Sequence, residues 1–562
     1  MPNPAQDAPP QSPVEGFVMD HDPIDAVRPT AGLAWRDWQV LLAVLAVVAL
    51  PYLQTYDDTL MALDDTGYLG PGIRGGFSWT SLRWAFGYHE ANWHPLTWLS
   101  HMLDWQLSPW NSGLFKLHNL LLHLGSVGMF FLFLRRAGQP VAAAALAAIV
   151  FGMHPLRVVS VAWVAERKDC LCVFFCVATM LAYQRYAVRR TIARYLLVTA
   201  TIALAMLAKP LAVTLPVGLA VLDLWPLGRL DPRRPGSWPV LFMEKLPWFA
   251  MSAGLVLLTM QAQVAGGSVN RAAPLAWRLQ QTVMSYGTYL WQLFVVGGHS
   301  VLYPIPVNPW LPPGRVLATL ALLVGITAVA AANVVRRPWL AAGWAWFLLI
   351  TFPMSGIVAI GEHSHADRYT YLPHLLLIAA IVHQLWQFGW LAAPQAWVRW
   401  PARAIVLVYL AGLFATTWNW VACWHDSERV FLRSLEATGP NAPLLRMLGT
   451  YYDMTDQPAA ALRCFELAVE HGPLEVDARA MRLKRLVRDG RVAEAERAFV
   501  TLRGEAPDIA GDVAEKLWIW DVTDHDSADR LAFVWRHVLA AAEASSDAER
   551  VREAIRRIER DE

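Results

Sequence analysis

The chain has 562 residues, 56% hydrophobic and 17% charged, against about 25% charged residues in ordinary soluble proteins. A net charge of +1 leaves no electrostatic footprint for nucleic acid, which is excluded as a partner. Five cysteines make no disulfide framework, and Cys170, Cys172 and Cys176, together in one apolar segment, read as small buried hydrophobes.

Polar and apolar residues are segregated along the chain. Residues 1–35 contain Pro and Asp without periodicity and are expected to be a disordered cytoplasmic tail. Residues 36–424 carry long apolar runs and define a membrane domain, whereas 425–562 have the Arg, Asp and Glu content of a soluble domain. A span needs about 20 mostly apolar residues to cross ~30 Å of hydrocarbon. The candidates are 38–54, 117–134, 141–158, 170–187, 195–209, 211–227, 246–263, 314–335, 339–358, 370–388 and 403–423, about eleven transmembrane helices. The first follows Arg28 and Arg36 with no small-residue cleavage site behind it, which predicts a retained signal anchor. The segment 282–296 is short and carries Tyr286, Tyr289, Trp291 and Gln292, which predicts a re-entrant or interfacial helix.

With the N-terminus cytoplasmic, Arg135–Arg136, Arg185 to Arg194, Arg229 to Arg234, Arg336–Arg337 and Arg399 with Arg403 all fall on the cytoplasmic side, as the positive-inside rule requires. The outer loop 55–116 and the C-terminal domain then share the opposite face. The chain is expected to cross a membrane many times, with membrane lipids as surroundings.

The first outer loop holds Asp57–Asp58, then Asp64–Asp65 within LDDTGYL, then NWHPLTWLSHMLDWQL from Asn92, which contains His94. Asp57–Asp58 read equally well as solvated loop carboxylates. Asp64–Asp65 lie just after a span and before a Trp-rich amphipathic stretch; a carboxylate at that depth serves as a general base toward a hydroxyl, or holds a cation. The segment HPLRVVSVAWVAERKD runs from His154 to Asp169 and sets Glu166, Arg167, Lys168 and Asp169 between apolar helices. Ionisable groups there are costly and by default functional, although a helix-end charge cluster is the bland alternative. A third group, GEHSHADRYTYLP, spans Gly361 to Pro373 and includes Asp367, Arg368 and Tyr369. The Arg368 fork suits a phosphate. Glu362, His363 and His365 are residue types that hold a divalent metal, at a spacing that matches no specific pattern, so exposed loop residues are the alternative reading. Lys209, in AKPLAVTLP, heads a helix on the same face, or snorkels as an ordinary interfacial lysine.

In the C-terminal domain the 34-residue window from Ala442 to Glu475 carries Leu448, Gly449, Tyr452, Ala461, Phe465, Ala468 and Pro473 at tetratricopeptide-repeat (TPR) positions. A second window from Val476 keeps Ala495, Phe499 and Pro507; Phe431 and Pro440 suit a preceding half-repeat, and 510–562 a helical cap. Such solenoids present a groove to a protein or peptide, or act as spacers.

The strings WHPLTWLSHMLD, KLHNLLLHL, HPLRVVSVAWVAERKD, AKPLAVTLP and ADRYTYLP resemble bacterial relatives of the transmembrane-and-tetratricopeptide-repeat (TMTC) O-mannosyltransferase-like family, within the GT-C superfamily. The resemblance runs in order from Asp64 to about Pro473. It implies an all-α, polytopic GT-C-like helical bundle with a C-terminal repeat solenoid. It also implies a polyprenyl-phosphate-linked sugar (mannose) as donor, an active site on the outer face, and Ser or Thr hydroxyls of proteins as acceptors. Its acidic pair matches Asp64–Asp65. Arg167, Lys168, Lys209 and Arg368 would then bind the donor phosphate, with His94, His154, Glu166, Asp169, Asp367 and Tyr369 in support. Where relatives commonly read HPLHVESV, this chain has Arg157 and Val159, and it has Gly70–Pro71–Gly72 where they have Asn-Pro. No resident cofactor is implied with certainty; a divalent metal is an open expectation. Three rivals stay open at this point: a catalytically impaired scaffold that binds partners through its repeats, a transferase acting on a glycan or lipid acceptor, and a transporter, the least favoured because the charges gather at one face rather than forming a path through the middle.

Overall fold

A computed structural model describes residues 33–55, 60–89, 92–234, 236, 238–265, 274–305, 310–358, 363–473 and 475–523. Most of the expected N-terminal tail, Asp57–Asp58, Glu362 and the end of the expected helical cap lie outside the described residues. The chain is helical almost throughout; the described strands are Tyr303–Pro304 and His363–His365, paired antiparallel with Tyr303 opposite His365.

Among the described residues five helices are long and apolar enough to cross a membrane: Trp35–Gln54, Ser112–Arg136, Val164–Val188, Pro313–Ala332 and Ala396–Cys423. The bent pair Val141–Met153 and Pro155–Ala162 makes a sixth if counted as one span, and Ile192–Ala208, Pro210–Leu224 and Pro338–Met354 are shorter apolar helices. The expected spans 246–263 and 370–388 are also helices, Leu246–Ala265 and Pro373–Gln387. Burial separates two kinds of apolar helix. Val164–Val188 is 72% buried inside the protein, whereas Pro313–Ala332 is only 11% buried. An apolar helix exposed nearly all round needs hydrocarbon as its solvent. The segment expected at 282–296 starts earlier, as Leu275–Gln292 following Pro274. Its Gln281, Tyr286 and Gln292 bond Ser364 O, Leu348 O and Asp367, tying it to one end of the bundle.

Small residues let helices close up. A Cβ on Gly343 would lie 2.4 Å from that of Ala380, so Pro338–Thr351 and Pro373–Gln387 meet backbone to backbone. At the other end, Asp37 takes Arg135 Nε at 2.7 Å and fixes the base of the first helix.

X-Pro steps break the helices where function will be needed. A residue before proline is pushed out of the α region, and the proline supplies no N–H. His154, before Pro155, is extended (φ −67°, ψ 130°), and the chain bends by 53° there. Lys209, before Pro210, is likewise extended (φ −158°, ψ 140°), and His94 precedes Pro95 at the start of Pro95–Leu107.

Beyond Trp424 the chain forms helices Ser427–Thr438, Ala442–Met454, Pro458–His471, Val476–Arg488, Val492–Glu505 and Pro507–Thr523, each joined to the next by a short turn. Leu448, Gly449, Ala461, Phe465 and Ala468 are buried, and a Cβ on Gly449 would stand 2.6 Å from the Phe465 ring. Phe431 and Leu444 join the core of the membrane body, while Leu483, Phe499 and Leu517 belong to a second core.

Candidate active site

The first loop is docked before it can present a side chain. Asp65 is buried, and its two carboxylate oxygens accept the backbone N–H groups of Met61 and Ala165, both at 2.9 Å. Burial pushes the Asp65 carboxyl up to about 6, against the lowering effect of those two N–H donors. This clamp sets the loop on the 3₁₀ turn Val164–Glu166 and leaves neighbouring Asp64 exposed at the rim of a cavity of about 470 Å³.

One half of the cavity is charged. Glu166 Oε1 meets Lys168 Nζ at 3.3 Å and Arg368 Nε at 3.2 Å, and its Oε2 lies 3.8 Å from Lys209 Nζ. Lys209 also pairs with Asp169 Oδ1 at 2.5 Å, and Asp169 accepts Ser160 Oγ behind the cavity wall. Lys168 donates to Tyr68 OH at 2.9 Å. The lining itself therefore carries three cations, Lys168, Lys209 and Arg368, against Glu166 and the rim carboxylate Asp64. The other walls are uncharged: Leu211, Val256, Met260 and Met354 are apolar, and Asn92, His94, Thr259 and Gln263 are polar.

Seven residues singled out in the sequence thus line one space: Asp64, His94, Glu166, Lys168, Lys209, Arg368 and Tyr369. The others stand elsewhere. Arg167 points into the protein, where Asp104, Ser100, Asn119 and Phe115 O take up its guanidinium; the Asp104 pair is 2.6 Å and fully buried. His154 is buried against Leu293 O. Asp367 accepts from Gln292, His299 and Tyr303 OH, at 3.0, 3.1 and 2.8 Å. His363 bonds Tyr369 OH at 2.8 Å, and His365 bonds Ser364 Oγ and stacks on Tyr303. Burial holds His363 down to about 3 and His365 to about 4, so both rings are neutral. Among the described residues no three His, Cys, Asp or Glu side chains gather to hold a metal ion. Arg157 bonds Thr370 and approaches His374, and Val159 is buried in the apolar core.

Tyr68, Asn92, Thr259 and Gln263 line the cavity without having been singled out. Tyr68 lay in view within LDDTGYL. Thr259, Gln261 and Gln263 were the signal in the segment 246–263: polar residues at every second position of an otherwise apolar helix end.

No family model matches the chain, and no curated protein matches it. Among solved structures it is similar to the oligosaccharyltransferase of Archaeoglobus fulgidus tethered with an acceptor peptide containing the NVT sequon, at 13% identity and a TM-score of 0.41, over 69% of this chain and 55% of that one. It is also similar to ArnT from Cupriavidus metallidurans bound to undecaprenyl phosphate, at 14% identity and a TM-score of 0.33, over 77% of this chain and 80% of that one. The chain spans only about half the length of the oligosaccharyltransferase it matches. At these scores any reading of function comes from the cavity's own side chains.

Proposed function

We propose that the chain is a membrane glycosyltransferase of the GT-C type, moving one sugar, mannose, from a polyprenyl phosphate to Ser or Thr hydroxyls of proteins on the outer face. The observation that carries this reading is the make-up of the cavity: Lys168, Lys209 and Arg368 converge on Glu166, apolar side chains such as Val256, Met260 and Met354 share the lining, and Asp64 stands at the rim. A phosphate on a prenyl tail asks for that combination, with the head among the cations and the tail along Val256 and Met260 toward lipid.

In this reading Asp64 takes the acceptor hydroxyl's proton as the oxygen attacks the anomeric carbon. The bond from that carbon to the phosphate oxygen breaks, its electron pair leaves with the phosphate, and the anomeric configuration inverts. Lys168, Lys209 and Arg368 receive the charge that grows on the leaving phosphate, in a site poor in water. Glu166 holds the three cations toward one point, and Asp65 positions the loop that carries Asp64. Arg167 braces the helix that presents Lys168. The C-terminal helical pairs recruit the acceptor and raise its local concentration, up to the millimolar range for a short connection.

The test is transfer of labelled sugar by the full chain in lipid nanodiscs. Asp64→Asn is expected to lower transfer by about 10²–10⁴-fold and to leave donor binding within about twofold of wild type. Unchanged transfer would remove Asp64 from the mechanism. Absence of transfer by the wild type to protein, glycan and lipid acceptors alike would instead favour a scaffold.

A further inference from the structure

The chemistry above uses the charged side chains of the cavity and leaves its polar, uncharged lining residues, Asn92, His94, Thr259 and Gln263, without a task. His94 is 1% exposed, yet neither Nδ1 nor Nε2 has a hydrogen-bond partner among the described residues. His101 is buried in the same state, but of the two only His94 lines the cavity, where a ligand can complete its hydrogen bonds. The ring is held in place from behind by Trp98, at 6.5 Å between centroids, and by the backbone step into Pro95. Burial, with Lys168 and Lys209 nearby, holds His94 well below the usual histidine range, so the ring offers one donor and one acceptor and no charge.

The groups beside it have the same character. Gln263 Nε2 donates to Asn92 Oδ1 at 3.3 Å, joining the first loop to the Leu246–Ala265 helix. Thr259 spends its hydroxyl hydrogen on Leu255 O at 2.8 Å and keeps acceptor capacity. A donor-plus-acceptor pair without charge matches a sugar hydroxyl, which also gives one of each. A second phosphate or carboxylate there would have to share Lys168 and Lys209 with the donor phosphate.

We propose that His94 is the sugar-binding contact of the donor site, hydrogen-bonding a hydroxyl of an uncharged hexose while the phosphate sits among Lys168, Lys209 and Arg368. The proposal rests on the lipid-phosphate donor reading and names the substrate class of that same site.

The test measures binding of the full chain in nanodiscs to three probes: undecaprenyl phosphate, undecaprenyl-phosphate mannose and undecaprenyl-phosphate glucose. Wild type is expected to bind at least one hexose lipid about tenfold more tightly than the bare lipid. His94→Phe should bind the bare lipid within about twofold of wild type and lose the hexose advantage, and His94→Asn, which keeps a donor and an acceptor, should retain part of it. Failure of the wild type to bind the bare lipid would sink the donor reading itself. Bare-lipid binding with no hexose advantage in the wild type would overturn the sugar subsite alone. So would an equal loss of all three probes in both variants, or an undiminished hexose advantage in His94→Phe.

Discussion

Two buried charge clusters sit at different places in this protein and are built on opposite plans. The cavity cluster gathers Lys168, Lys209 and Arg368 around Glu166, with Asp169 behind. The second joins Asp223, Arg229, Glu244 and Lys245: Arg229 lies 3.0 Å from Asp223 Oδ1 and 2.9 Å from Glu244 Oε1, and Lys245 lies 2.6 Å from Asp223 Oδ2. Tyr183 OH closes it, at 2.9 Å from Asp223 and 2.8 Å from Glu244. This cluster has two acids for two bases, and its acids and bases face each other. The cavity cluster, counted with Asp64 and Asp169, also sets three acids against three bases, but Lys168, Lys209 and Arg368 border an open cavity. Burial and charge alone therefore do not mark a site. Charge that borders an open space does, because a ligand has somewhere to bind beside it.

The comparison breaks if both clusters respond alike to loss of a lysine. Lys245→Met leaves Asp223 and Glu244 short of a cation in a closed interior and is expected to cost about 3–5 kcal/mol of stability. Thermal unfolding in detergent reads this directly, and transfer per folded molecule should stay near wild type. Lys168→Met in the open cluster should do the reverse: Glu166 keeps Arg368 and Lys209, so the melting temperature stays close to wild type. Transfer, however, falls about 10²-fold as leaving-group stabilisation is lost. A Lys168→Met protein that unfolds but transfers normally would make the cavity cluster structural too.

Smaller substitutions sharpen the contrast. Tyr183→Phe removes one hydroxyl from the closed cluster and should cost about 1–2 kcal/mol, again with transfer unchanged in the same assay. Asp65→Asn tests the clamp beside the open cluster. An amide has only one acceptor oxygen for the two N–H groups of Met61 and Ala165, so the variant should be less stable and its loop poorly docked. The gap should also depend on pH. Because the folded value of Asp65 is raised, to about 6, its favourable contribution is present below the unfolded carboxylate range and is lost as pH rises through about 6. The non-titrating Asn lacks this dependence, so wild type should gain about 1 kcal/mol over the variant between pH 7 and pH 5. Unfolding curves at the two pH values check it, and a constant gap would mean that Asp65 is not buried as described.

Much of the open cluster was legible in the sequence because charges in apolar surroundings stand out. Glu166 and Lys168 interrupt an apolar run, Lys209 precedes a proline at which a helix ends, and His94 precedes the proline that opens Pro95–Leu107. Direction was not legible. Arg167 and Lys168 are neighbours, but successive helical residues point about 100° apart, so one reaches the cavity and the other Asp104. Likewise, of two adjacent aspartates one is buried in a clamp and one faces out. The closed cluster escaped notice for another reason: Asp223 and Lys245 each look ordinary alone, and only the packing around Tyr183 brings them together. Near the C-terminus, Leu448, Gly449 and Phe465 announced their helix pair through residue size, since only a residue without Cβ fits beneath the Phe465 ring.

The helix Ser427–Thr438 is bolted down along its length. Ser427 Oγ takes the N–H of Ala62 at 2.8 Å, Ser434 Oγ that of Val301 at 3.1 Å, and Lys116 Nζ reaches Trp424 O at 3.3 Å. The first of these bonds lies on the very loop that carries Asp64. The helical pairs that follow therefore start from a fixed mount and have no slack between them and the cavity rim. An acceptor recruited by them, as proposed above, would be held at one offset from Asp64. An extended chain advances ~3.3 Å per residue, so a cargo gripped two residues away from its proper place would arrive ~7 Å out of register.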